Sequence, residues 1–176
     1  MSDLDLDLVW WDFGDALCDE TFQRISPPRV PQWPEVYEQL LAERPDWVEG
    51  WNLGRGSMND LIEPLAQRLA MTPGQVSRHL RAVWHQIVWF DEAMEWLRLL
   101  ESRVAQAIVT VNPWEFSGTA AATGLDQMVD VVVTSAELAS DSKPAMALRA
   151  RELLGLPEGR EQAAARFRRS PNTRTG

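Results

Sequence analysis

The chain has 176 residues, 45% hydrophobic and 24% charged, with a formal net charge of −9; that balance suits one well-filled core and excludes a disordered chain. No apolar run reaches the roughly 18 residues of a membrane span, and the acidic N-terminus lacks the basic start of a secretory signal, so a cytoplasmic protein with no membrane partner is expected. The acidic total argues against a nucleic-acid partner, whose affinity would rest on neutralising phosphates with Lys and Arg, and the single cysteine, Cys18, excludes an internal disulfide or a cysteine-based zinc cluster.

In chain order, residues 4–11 (LDLDLVWW) alternate apolar and acidic before turning continuously apolar, which predicts a strand whose far end is buried on both faces. Asp12 ends it. Residues 27–34 (PPRVPQWP) hold too many prolines for helix or central strand and read as a linker into a new unit. Only helical patterns follow. Trp33, Val36, Tyr37, Leu40 and Leu41 share one helical face; Leu61, Ile62, Leu65 and Leu69 share another, after a Ser57 start with Asp60 at the capping-box spacing. Thr72-Pro73-Gly74-Gln75 has the same spacing with proline in the first turn, and opens a helix expected to bury Val76, Leu80, Val83, Trp84 and Ile87. The next helix starts near Asp91 and turns Ala93, Trp96, Leu97 and Leu100 inward.

The period then changes. AIVTVN (107–112) and DVVVTS (130–135) are β-branched, turn-bounded runs separated by a helix-length segment, as in a parallel βαβ unit. A last helix, Pro144 to Leu154, closes at Gly155 with Pro157 beyond. Residues 157–176 (PEGREQAAARFRRSPNTRTG) show no strand pattern, and 158–176 read as a basic, solvated tail. The order predicts an α/β core of residues 1–19 and 101–157, interrupted by a helical unit at 20–100. In such a parallel sheet ligands lie outside the carboxyl ends of the strands. Asp12 ends the first strand, Thr110 ends the second, and Lys143 follows the third. A carboxylate, a hydroxyl and an ammonium at one edge suit phosphoryl or acyl transfer: Asp12 attacks, Lys143 screens the charge between it and an anionic substrate, and Thr110 donates to the transferred oxygens. Asn112, just beyond, either orients substrate or caps the next helix.

WDFGDAL (11–17), AIVTVNP (107–113) and DSKPAMALRARELLGLP (141–157) resemble, in order and spacing, motifs I, II and III of the haloacid dehalogenase-like (HAD) hydrolase superfamily. The resemblance runs from about residue 6 to 157 and implies a Rossmann-like parallel sheet with an inserted α-helical cap at 20–100. It also implies a phosphatase working through an aspartyl-phosphate on Asp12, a small phosphorylated substrate, and Mg²⁺ held by Asp12 and the Gly14 carbonyl. Two departures stand out. The acid/base aspartate that such phosphatases carry two residues after the nucleophile is Gly14 here, and no fourth strand bearing metal-binding aspartates is evident after Leu156. The core therefore reads as truncated at its C-terminal side, which weakens the metal site. The edge of the first strand would then be left for the tail, a second subunit or a partner strand to cover.

Three other readings stand beside the phosphatase. A catalytically inactive HAD-like protein would bind a phosphorylated ligand or a protein without turnover. A dehalogenase would use the aspartate without a metal. A DNA-binding regulator would use LAQRLAMTPGQVSRHLRAVW (65–84), which resembles a helix-turn-helix with Gln75, Ser77, Arg78 and Arg81 facing outward. Of the tryptophans, Trp33, Trp84, Trp89 and Trp96 are expected in the core, while Trp47, Trp51 and Trp114 are loop candidates for lining a cleft. His79 and His85 lack the i, i+4 spacing of a helical metal pair.

Overall fold

The computed structural model describes residues 6–157 and the backbone of 161–163. Its strands are β1 (Leu8–Trp11), β2 (Cys18–Asp19), β3 (Val88–Trp89), β4 (Ala105–Thr110), β5 (Val131–Thr134) and β6 (Glu161–Ala163). The helices are α1 (Trp33–Ala42), α2 (Pro45–Asn52), α3 (Ile62–Leu69), α4 (Pro73–Val83), α5 (Asp91–Leu100), α6 (Glu115–Thr123), α7 (Ser135–Leu138) and α8 (Lys143–Leu154). Four strands form a parallel sheet in the order β5-β4-β1-β6, with Trp11 opposite Ile108 and Thr110 opposite Thr134.

Period-two alternation decides what each sheet face meets. Leu8, Ala107, Val109 and Val133 pack on Met146, Ala147 and Ala150 of α8. Val9, Trp11 and Ile108 face the other way, into a cluster with Phe13, Leu17, Phe116 of α6 and Leu97 of α5. One polar side chain joins that layer. Gln106, only 2% exposed, accepts from Trp11 Nε1 at 3.0 Å and donates to the Leu97 carbonyl at 2.9 Å, so the buried indole N–H and amide are both satisfied.

The helical segment between β1 and β4 has a core of its own, in which Trp33, Tyr37 and Leu40 of α1 meet Leu65 and Leu69 of α3 and Val76 and Leu80 of α4. Both predicted capping boxes are present, at Ser57/Asp60 and at Thr72/Gln75. α5 belongs elsewhere: its Ala93, Met94, Leu97 and Leu100 share the cluster of the sheet. At the neck, β2 and β3 pair antiparallel, Cys18 with Trp89 and Asp19 with Val88, and Phe90 N–H donates to the Leu17 carbonyl at 2.9 Å. The two ends of the insertion are thereby tied to each other next to the loop that follows β1.

Three expectations are corrected. The sequence pattern predicts no strand after Pro157, yet β6 pairs with β1, Leu8 opposite Glu161 and Trp10 opposite Ala163. Of the three covers expected for the edge of β1, the chain's own C-terminal segment provides this pairing. The physical reason is that an edge offers backbone N–H and C=O groups to any extended segment, and three residues are too few to show an alternation. The remainder of the expected flexible tail, 158–160 and 164–176, lies outside the described residues. Trp96 is 45% exposed, and Met94 takes the inward place because the buried stripe of α5 runs through 93, 94, 97 and 100. Trp47 and Trp51 stand on α2, a helix begun by Pro45 in its first turn, rather than on a loop.

Candidate active site

β1 delivers Asp12 at its carboxyl end, where the side chain is 29% exposed. Asp12 Oδ1 accepts from the Phe13 N–H at 2.9 Å and from Lys143 Nζ at 2.6 Å. Lys143 opens α8, whose N-cap Ser142 accepts from the Ala145 N–H, and its ammonium donates a second bond to the Val109 carbonyl at 2.8 Å. The lysine thus bridges the ends of β1 and β4. Its two acceptors hold the head group in one place, which a free surface lysine would not achieve.

Thr110 is the last residue of β4 and 1% exposed; its Oγ1 accepts from Asn112 Nδ2 at 2.7 Å. Accepting there turns the hydroxyl proton toward other partners. Asn112 also gives its carbonyl to Ser135 Oγ at 3.3 Å, and the same hydroxyl donates to the Asn52 carbonyl of α2 at 2.5 Å. Ser135 is fully buried and ties the loop after β4 to the helical segment. A second tie is Glu115 at the start of α6. Its Oε1 accepts from Met58 N–H at 2.8 Å and Ser57 Oγ at 3.3 Å, and its Oε2 from Trp51 Nε1 at 3.2 Å. Neither tie is legible in the sequence, where Ser135 and Glu115 look like ordinary helix-start residues.

Between the loop after β1 and helices α1 and α2 lies a cavity of about 500 Å³, walled by Asp15, Asp19, Glu20, Trp51, Asn112 and others. Of the residues predicted from sequence it takes in Asn112; Asp12, Thr110 and Lys143 gather at the strand edge without being part of its wall. The local field is negative. Burial, followed by the charges of Glu20, Asp19, Asp15 and Asp12, pushes the Cys18 thiol far up from its ordinary value. Cys18, fully buried, is therefore a neutral packing residue rather than a nucleophile. Tyr37, on the same cavity wall, is pushed up to about 12 by burial, so its hydroxyl stays protonated.

The space beside the Gly14 Cα is taken by the end of the Glu20 side chain. The φ of Gly14 lies outside the left-handed region, whereas Asp15 beside it is at +56°. A methyl group added at Gly14 would overlap the carboxylate of Glu20, which is folded over this backbone. The turn itself is closed by Cys18 N–H to the Phe13 carbonyl at 3.3 Å and Asp15 N–H to the Cys18 carbonyl at 3.0 Å.

Mg²⁺ asks for octahedral oxygen ligation anchored by carboxylates. Among the described residues no group of three or more His, Cys, Asp and Glu stands where it could hold a metal ion, and Asp12 Oδ1 is already engaged by an ammonium and an amide. Among the described residues, Asp12 and the Gly14 carbonyl are by themselves an incomplete magnesium site. Of the other candidates, His79 Nε2 donates to the Ile25 carbonyl at 2.8 Å inside the helical segment. Gln75 of the helix-turn-helix-like stretch is engaged in capping α4, while Arg78 and Arg81 are exposed. No helix among the described residues is long and apolar enough to cross a membrane.

No protein-family model matches the sequence, and no curated protein is significantly similar to it. Solved structures do match. The L-2-haloacid dehalogenase from Xanthobacter autotrophicus with chloropropionic acid covalently bound superposes with a TM-score of 0.60 at 19% identity, covering 90% of this chain and 69% of that one. A predicted HAD-like family hydrolase from Porphyromonas gingivalis gives 0.60 at 11% identity, over 90% and 81%. A HAD phosphatase from Thermococcus onnurineus gives 0.55 at 19%, over 90% and 76%. This is the haloacid dehalogenase-like fold. In that fold Asp12 ends the first core strand and the helical segment follows it, and identities this low speak for the fold alone.

Proposed function

We propose that this HAD-like chain hydrolyses small phosphate monoesters through a covalent aspartyl-phosphate on Asp12. The observation that carries the reading is the Lys143 ammonium, held between Asp12 Oδ1 at 2.6 Å and the Val109 carbonyl at 2.8 Å. With Oδ1 engaged, Oδ2 is the oxygen that attacks phosphorus; Lys143 lowers the repulsion between two anions, and Thr110, oriented by Asn112, donates to a phosphoryl oxygen as charge builds there. Water then cleaves the acyl-phosphate and restores the carboxylate. The acids of the cavity wall favour an ester whose alcohol half is neutral or cationic. The helical segment acts as the cap that encloses this half.

A second reading is displacement of halide from a 2-haloacid by the same carboxylate. It is favoured by the Xanthobacter neighbour, whose structure holds chloropropionic acid covalently. One experiment separates the two: phosphate release from a panel of alkyl and aryl phosphates and chloride release from 2-chloropropionate, each with Mg²⁺ and with EDTA, for wild type and Asp12→Asn. Phosphate release abolished in Asp12→Asn supports the proposal. Chloride release alone establishes the second reading. Neither product above the Asp12→Asn background would refute hydrolysis by Asp12 and leave a binding protein, for which salt-sensitive DNA binding through Arg78 and Arg81 is the next assay.

A further inference from the structure

We propose that Glu20 is the acid/base residue of this site, its carboxylate seated over Gly14 and so brought to the loop of the nucleophile from outside the strand. The inference rests on the phosphate-ester reading. An alkyl ester cannot expel its alkoxide at neutral pH without a proton, and the acyl-phosphate that remains needs a base to activate water; one positioned carboxyl group can serve both steps.

The candidates are the acids of the cavity wall, and where each carboxylate stands sorts them. Asp19 Oδ1 accepts from the Thr21 N–H at 2.8 Å and caps the short 3-10 helix Glu20–Arg24. Glu38 pairs with Arg24 at 2.6 Å. Asp15 sits in the left-handed turn, one residue further from the nucleophile than Gly14. Glu20 is the acid whose carboxylate end stands against Gly14, and it is placed from two directions. Its helix is anchored by Phe22, 3% exposed, and by the Asp19 cap. Its carboxylate lies where a side chain on Gly14 would begin, two residues past Asp12. Glu20 and Asn112 both line the cavity. Gly14 lies outside the left-handed region of φ, and the carboxylate end of Glu20 occupies the space beside its bare Cα.

The steps balance. Asp12 Oδ2 bonds to phosphorus, the bond from phosphorus to the ester oxygen breaks, and protonated Glu20 gives its proton to the departing alkoxide. Glu20, now a carboxylate, takes a proton from water as the water oxygen bonds to phosphorus. The acyl-phosphate bond breaks toward Asp12, which leaves as carboxylate, and Glu20 is again protonated. Ester and water have become alcohol and phosphate.

The test uses the full chain with ethyl phosphate, whose leaving group needs a proton, and p-nitrophenyl phosphate, whose leaving group does not. Glu20→Gln is expected to lower kcat on ethyl phosphate by about 10²–10⁴-fold and to flatten one limb of its pH profile. On p-nitrophenyl phosphate it should give one rapid burst of nitrophenol per chain before slow turnover, because the second step has lost its base. Gly14→Ala should act in the same direction by displacing the carboxylate, with unchanged circular dichroism. The double variant Gly14→Asp with Glu20→Gly, which moves the carboxylate onto the strand loop, should recover at least about tenfold of the loss. Glu20→Gln within about twofold of wild type on ethyl phosphate, while Asp12→Asn is dead, would overturn the role of Glu20 and leave the phosphatase reading standing. No turnover of either ester by wild type would overturn both.

Discussion

Glu115 is the perturbation that most directly tests how the helical segment is held against the sheet. Its carboxylate takes Met58 N–H, Ser57 Oγ and Trp51 Nε1, all from the segment, while its own backbone starts α6 on the core. Hydrogen bonds to a charged acceptor contribute about 1.5–3 kcal/mol each when buried, and less where water competes. Glu115 is half-buried and Trp51 is 6% exposed, so the indole N–H is the donor that water replaces worst. Glu115→Ala should therefore cost about 2–4 kcal/mol in all. Glu115→Gln keeps an acceptor for Met58 and Ser57 but, in that orientation, turns an amide N–H toward the indole N–H, and should cost about 1 kcal/mol. Urea unfolding followed by far-ultraviolet circular dichroism gives both values. Because Trp51 lines the cavity, the KM of any substrate that fills it should rise in Glu115→Ala more than kcat falls. A Glu115→Ala loss below about 0.5 kcal/mol, the ordinary range of a surface substitution, would refute the claim that this carboxylate latches the segment.

Lys143→Met should lower kcat by about 10²–10³-fold, the usual cost of one lost donor at a developing charge, and Lys143→Arg should recover little because a planar fork cannot reproduce one ammonium on both Asp12 and the Val109 carbonyl; steady-state kinetics with phosphate release decides it. His79 is held below the ordinary histidine value chiefly by burial, so between pH of about 6.5 and its lower folded value the unfolded chain takes up a proton that the folded chain refuses. Stability should accordingly fall as pH drops through that window, and the fall should flatten in His79→Gln, read as melting temperature against pH. Trp33→Ala should cost about 3–5 kcal/mol and Trp96→Ala less than about 0.5 kcal/mol, since one is fully buried and the other 45% exposed; equal losses would contradict the inward stripe assigned to α5.

The parts of the fold that local patterns announce are those the sequence makes visible. Ser57 with Asp60 and Thr72 with Gln75 carry both halves of a capping box within one turn of chain, so spacing alone locates them. That Asp12, Thr110 and Lys143 stand at one edge is legible for a topological reason, because parallel strands bring their carboxyl ends together wherever they lie in sequence. What stays hidden is decided by distant partners. Gln106 reads as a polar break in a strand, and only the indole of Trp11 and the carbonyl of Leu97 make it a buried bridge. β2 and β3 pair over two residues each, too short for any alternation to register. Glu20 reads as one acid in an acidic run until the bare Cα of Gly14 gives its carboxylate a seat.

That acidic run ties folding to chemistry. Residues 1–20 carry seven acids and no base, and Asp12, Asp15, Asp19 and Glu20 stand close enough to act together on the Cys18 thiol. Such a cluster repels itself until a cation reaches it. The cation that pairs with Asp12 is Lys143, 131 residues away in sequence, and it arrives when α8 packs Met146, Ala147 and Ala150 against β1, β4 and β5. The apolar burial of α8 therefore brings Asp12 its counter-ion, so this carboxylate is paired once the sheet is covered on that face. A substitution such as Ala147→Asp, far from any substrate, should disable Asp12 by undocking α8 and withdrawing Lys143.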